Sequence, residues 1–244
     1  MQNLKLTIEY DGTAYHGWQV QPGLPTVQGV IEETVKRISG EEVRIIGAGR
    51  TDAGVHALGQ VANFRTGKAL APEIWRRALN GLLPPDIVAQ HVEAAPEDFD
   101  ACRSAREKTY RYVILNSPVP SGLDRQWVLH VPEPLDPAAM AEGAALLIGE
   151  HDFSAFRAAD DHPPDPVRSV TEARFETAGR RLHFVTTANG FLKHMIRIIV
   201  GTLLDVGRGK REPPDVQRVL RSRDRQSAGR TAPPHGLCLV RVRY

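Results

Sequence analysis

Apolar and polar residues alternate through Leu4, Lys5, Leu6, Thr7, Ile8, Glu9 and Tyr10, and this period of two predicts a strand ending at the turn signal Asp11-Gly12. The period then changes. Val27, Val30, Ile31, Val35 and Ile38 recur at helical spacing, with Thr26 placed to cap the start and Gly40 just past the end. Residues 43–46 and 60–64 read as short strands on either side of a glycine-rich loop, and residues 72–80 as a helix entered through Pro72 and left at Gly81.

The second half uses the same grammar. Residues 110–115 are strand-like, and 137–148 form a helix ending at Gly149. Residues 170–176 and 182–187 read as a hairpin through Gly179. Residues 191–206 make a long apolar helix, 213–220 another, and 237–244 a closing strand. Strands and helices mix without strict alternation, which predicts an α+β fold rather than a doubly wound parallel sheet. A division near residues 101–109 gives an N-terminal half over 1–105 and a C-terminal half over 106–244. Loops 19–25 and 158–166, the latter rich in Asp and Pro, are expected to be mobile.

Charge changes the picture only through its distribution. The formal net charge is +2, which does not by itself indicate a nucleic-acid partner. However, Arg103, Arg106, Lys108 and Arg111 form one basic cluster, and Arg208, Lys210, Arg211, Arg218, Arg221, Arg223, Arg225 and Arg230 a denser one. Such a surface can hold a phosphate backbone while the whole protein stays near neutral. No apolar run is long enough to cross a bilayer, and the first residues lack the layout of a secretion signal, so a cytoplasmic address is expected. Two distant cysteines, Cys102 and Cys238, are expected to be reduced thiols. The nine histidines are scattered, with neither His-Glu-x-x-His nor Cys-x-x-Cys, which argues against a metal site and against a zinc deaminase.

Candidate chemistry concentrates in residues 47–60, Gly-Ala-Gly-Arg-Thr-Asp-Ala-Gly-Val-His-Ala-Leu-Gly-Gln. The glycines permit tight turns and close approach of another molecule. A dinucleotide or P-loop cradle is not met, because a strand rather than a helix follows and no Gly-Lys-Ser/Thr is present. The segment puts Arg50 and Asp52 two residues apart on a loop held between strands, and on composition alone Asp52 could equally be a turn former or a helix cap.

Residues 50–57, Arg-Thr-Asp-Ala-Gly-Val-His-Ala, resemble the signature of the TruA-type tRNA pseudouridine synthases. Residues 10–19, Tyr-Asp-Gly-Thr-Ala-Tyr-His-Gly-Trp-Gln, are similar to that family's opening segment. Tyr110-Arg111-Tyr112 resembles its central strand, residues 191–201 its late helix, and residues 231–237 its C-terminal motif. These matches run in order from Tyr10 to Tyr244. The resemblance implies a pseudouridine-synthase fold of two similar ferredoxin-like halves with a central, largely antiparallel sheet and a basic cleft. It implies isomerisation of uridine to pseudouridine on the 3′ side of the tRNA anticodon stem-loop by a homodimer that needs no cofactor.

The resemblance also assigns roles. Asp52 is the implied nucleophile; attack on the base, attack on C1′ and a glycal route all remain open. Burial disfavours the ionised carboxylate and a guanidinium favours it, and the resemblance implies that Arg197 is that partner. Lys193, four residues earlier, is expected to share its helix face. Tyr110 is implied to stack on the target uracil, with Tyr112 the obvious misassignment, and Arg50 to fill the gap left by the extruded nucleotide. A two-carboxylate glycosidase does not fit, because Asp52 has no acidic neighbour in its motif. A tRNA-binding factor without catalysis is disfavoured by the joint presence of Arg50, Asp52, Tyr110 and Arg197.

Overall fold

Residues 2–10 form strand β1 (Gln2–Tyr10), and the side chains that alternate inward, Leu4, Leu6, Ile8 and Tyr10, are all buried. The structure is a computed structural model that describes residues 1–161 and 165–244. Helix α1 (Val27–Ser39) begins where the Thr26 side chain accepts from the Gly29 amide and ends at Gly40, as its spacing predicts. Its buried face carries Val27, Ile31 and Val35. Strands β2 (Ile46–Gly47) and β3 (His56–Thr66), helix α2 (Pro72–Leu82) and strand β4 (Ile87–Ala95) follow. Trp75 of α2 meets Phe64 of β3 edge-on at 5.3 Å, and both are fully buried.

The chain divides into two compact units. The first holds residues 1–106 together with 238–244, so the closing strand β10 (Leu237–Arg243) lies almost wholly with the N-terminal residues. Its strands run in the order β4-β1-β3-β10, antiparallel except for the short parallel pairing of β3 with β10.

The second unit, residues 107–237, contains β5 (Glu107–Asn116), β6 (Leu129–Val131), α3 (Pro137–Ala145), β7 (Gly149–Asp152), β8 (Val167–Ala178), β9 (Arg181–Ala188), α4 (Met195–Gly207) and α5 (Asp215–Ser222). Its order is β5-β9-β8-β7, antiparallel throughout, with β6 added parallel to β5. Both units are therefore mixed α/β with mostly antiparallel sheets. Nearly every residue of α4 is buried, which explains its continuous apolar sequence.

Several boundaries differ from those the pattern predicts. Residues 43–45 form no strand, because α1 side chains take the backbone groups a ladder would use: Glu32 accepts from the Ile45 amide and Gln28 donates to the Ile45 carbonyl. Helix α3 stops at Ala145, and Gly149 opens β7 instead of capping a helix. Helix α4 starts only at Met195. The chain ahead of it is bound to residues 158–161, where the Lys193 amide donates to Asp161, the Lys193 carbonyl accepts from the Ala158 amide, and His194 adopts φ 62°. Lys193 therefore lies outside the helix and does not share a helical face with Arg197; its ammonium pairs with Asp160 at 2.5 Å. The Pro-rich loop expected over 158–166 includes residues 162–164, which lie outside the described residues.

Candidate active site

The loop carrying Arg50 and Asp52 is shaped by the opening segment of the same unit. The Trp18 amide donates to the Thr51 carbonyl at 3.0 Å, and the Gly54 amide donates to the Tyr15 carbonyl at 3.3 Å. Two glycines make this approach possible. A Cβ on Gly12 would sit 2.0 Å from the Val55 carbonyl oxygen, and one on Gly17, which also has φ +87°, would sit 2.5 Å from the Thr51 carbonyl oxygen. The Trp18 indole lies against Gly47 so closely that a Cβ there would meet it at 2.5 Å. His56, the first residue of β3, accepts from the Gly12 amide at 3.1 Å through Nδ1, which also lies 3.1 Å from Asp11.

On this loop Arg50 is exposed and Asp52 half-buried. The Asp52 carbonyl accepts from the Val55 amide at 3.1 Å, closing a turn that leads into β3. A strand follows Asp52, so it caps no helix. The loop is thus a rigid presenter: backbone bonds hold it on several sides, and the Arg50 and Asp52 side chains project from a fixed main chain.

The second unit holds the other residues singled out by sequence. Tyr110 of β5 is 6% exposed, and its ring packs edge-on against Phe191 at 5.2 Å. Tyr112 shares its face but is fully buried, and its hydroxyl donates to the Pro233 carbonyl at 2.8 Å. Burial pushes the Tyr112 hydroxyl above the ordinary phenol range, against the opposing effect of the Arg197 charge. Tyr112 is committed to scaffolding through that bond. Arg197 lies in the first turn of α4 and is half-buried. Its Nε donates to the Ala232 carbonyl at 2.8 Å, while the Ala232 amide donates to the Arg197 carbonyl at 3.0 Å. The C-terminal motif therefore holds Arg197 by a reciprocal pair of bonds, one to its main chain and one from its guanidinium.

The arginine-rich stretch over 208–230 is less open than its sequence suggests. Arg218 and Arg223 pair with Asp215 and Asp152 at 2.6 and 3.0 Å, and Arg208 and Arg211 lie 3.5 and 3.7 Å from Glu133 and Asp205. Arg221 and Arg230 are exposed. Among the described residues no group of three His, Cys, Asp or Glu side chains is gathered to hold a metal ion.

Sequence reasoning gave no role to Tyr10 or Gln60, both of which touch the loop. The available signal was a polar side chain on the apolar face of a predicted strand, since Tyr10 continues the inward series Leu4, Leu6, Ile8.

The family described as tRNA pseudouridine synthase matches residues 6–102 and 144–244. A tRNA pseudouridine synthase A of Caldicellulosiruptor bescii is 48% identical over 244 residues, covering 100% of both chains. That of Acetivibrio thermocellus is 47% identical over the same span, again covering 100% of both chains. One from Myxococcus xanthus is 48% identical, covering 100% of this chain and 92% of its own.

Proposed function

The chain belongs to the tRNA pseudouridine synthase family, an isomerase family, and on that premise we propose that it converts uridine to pseudouridine in the tRNA anticodon stem-loop with Asp52 as nucleophile. The reaction breaks the C1′–N1 bond, turns the uracil and joins C5 to C1′. The C5 hydrogen leaves as a proton and N1 gains one, so no electrons are exchanged with a cofactor. The observation that carries the Asp52 assignment is its placement: a half-buried carboxylate on a loop whose main chain is bonded to Trp18 and Tyr15.

In this reading the Asp52 carboxylate stabilises the fragment formed between cleavage and reattachment. Arg197 keeps it ionised, Tyr110 stacks on the uracil, and Arg50 occupies the space vacated by the extruded nucleotide. A basic cleft binds the phosphates, with exposed arginines such as Arg221 and Arg230 as contributors, so affinity falls as salt rises. We assign the working form to a cytoplasmic homodimer. No helix among the described residues is long and apolar enough to cross a membrane.

A tRNA transcript carrying tritium at C5 of its uridines tests the reaction class. Each turnover must release that hydrogen to solvent, so tritium appears in water in step with the enzyme added. Tight tRNA binding without release would overturn the proposal in favour of a binding protein.

A further inference from the structure

Strands β1 and β3 are out of regular register beside the loop. Ile8 stands opposite Gln60 but Tyr10 stands opposite Ala57, so β3 carries an extra residue here. A bulge of this kind re-aims side chains at the end of a strand pair. It brings two buried polar side chains beneath the loop, Tyr10 at 3% and Gln60 at 0% exposure.

Each bonds the loop on one side of Arg50. Gln60 Nε2 donates to the Gly49 carbonyl at 2.8 Å, and the Tyr10 hydroxyl bonds the Thr51 hydroxyl at 2.8 Å. The Gln60 amide oxygen is itself buried with no hydrogen-bond partner among the described residues. An orphaned buried acceptor is destabilising, and an apolar side chain would fill this place at lower cost if packing were its only task. What glutamine adds is the bond to Gly49, together with an interaction with the Tyr10 hydroxyl. The Tyr10 ring would pack on Trp18, 6.1 Å away between centroids, with or without its hydroxyl. What the hydroxyl adds is the bond to Thr51, the residue immediately before Asp52.

We infer that Tyr10 and Gln60 are positioning residues for the isomerisation: acting through Thr51 and Gly49, they fix the main chain on both sides of Arg50 and so set the direction in which Asp52 presents its carboxylate. This rests on the assignment of Asp52 as the reacting group. Burial raises the Tyr10 hydroxyl above the ordinary phenol range, so it serves as a neutral hydrogen-bonding group and not as an acid or base. The arrangement acts on geometry alone, and misplacement of a reacting group by an ångström is enough to slow a reaction on the order of 100-fold.

The test is single-turnover conversion of the C5-tritiated transcript with enzyme saturating and in excess, which makes the rate constant independent of the folded fraction. Tyr10→Phe, Thr51→Val, their combination and Asp52→Asn are compared. Tyr10→Phe and Thr51→Val are each expected to slow the step by about 10- to 100-fold. Their combination is expected to be no slower than the worse single variant, because both remove one bond. The dissociation constant for tRNA is expected to stay within about twofold of the parent's. Tyr10→Phe at the parent rate beside an inactive Asp52→Asn overturns the inference alone. Losses that multiply in the double variant, or that appear only as weaker tRNA binding, also overturn it. Asp52→Asn at the parent rate instead overturns the assignment on which it rests. If Tyr10→Phe fails to fold, Thr51→Val, which breaks the same bond from the loop side, decides the question.

Discussion

Replacing Asp52 with asparagine is expected to lower pseudouridine formation by on the order of 10⁴-fold or more while leaving the protein folded and able to bind tRNA. The substitution keeps the size of the side chain and removes only its charge. An amide can neither attack as a nucleophile nor balance positive charge on a sugar fragment. The fold should tolerate the change, because several bonds that hold the loop use groups other than the Asp52 carboxylate: the Trp18 amide on the Thr51 carbonyl, Gln60 on the Gly49 carbonyl, and the Tyr10 hydroxyl on that of Thr51. A thermal midpoint within about 3 °C of the parent's would show that these bonds persist. Retention of more than roughly a tenth of the parent rate would remove Asp52 from the chemistry.

Gly201→Ala is expected to be the most destabilising of the single-methyl changes considered. In the middle of a helix this substitution ordinarily stabilises by up to about 1 kcal/mol. Here the added Cβ would lie 1.7 Å from the Arg230 carbonyl oxygen, inside any tolerable contact. The opposing segment comes equally close, since a Cβ on Gly229 would lie 2.6 Å from the Thr202 amide nitrogen, and the Gly229 amide already donates to the Thr202 hydroxyl at 2.9 Å. Neither backbone can yield without moving the other. Displacement of residues 229–232 would also draw Ala232 away from Arg197, which it holds through both main chain and side chain. A loss of roughly 3 kcal/mol is expected, read as a fall in melting temperature of about 10 °C. Gly81→Ala in α2 is the control, because nothing lies within 4 Å of its added Cβ, and it should raise the melting temperature slightly. Equal behaviour of the two variants would refute the close-approach account.

The pattern of apolar positions located most elements because α1, β5, β9 and α4 each bury a continuous face. It missed elements that lack such a face. Strand β4 buries only Ile87 and Ala89, β6 spans three residues, and β7 reads Gly-Glu-His-Asp. Hydrogen bonds from side chains distant in sequence were equally invisible. Glu32 and Gln28 keep residues 43–45 out of a ladder, and Asp161 delays the start of α4.

The site divides in the same way. Arg50, Asp52, Tyr110 and Arg197, the residues proposed for the chemistry, could be named from the sequence because motifs that resemble a known family carry them. Tyr10 and Gln60 were not, because their contacts depend on a bulge that no periodicity reports. Charge misled for a related reason: Arg208, Arg211, Arg218 and Arg223 look like one basic stretch until their acidic partners, some far away in sequence, are known.

The most direct measurement is to locate the product. An unmodified tRNA transcript is incubated with the protein, treated with a carbodiimide that marks pseudouridine, and read by primer extension, since the isomerisation leaves mass unchanged. The account predicts new stops on the 3′ side of the anticodon stem-loop with the parent protein and none with Asp52→Asn. Stops confined to another arm of the tRNA, or stops of equal strength with the asparagine variant, would contradict it.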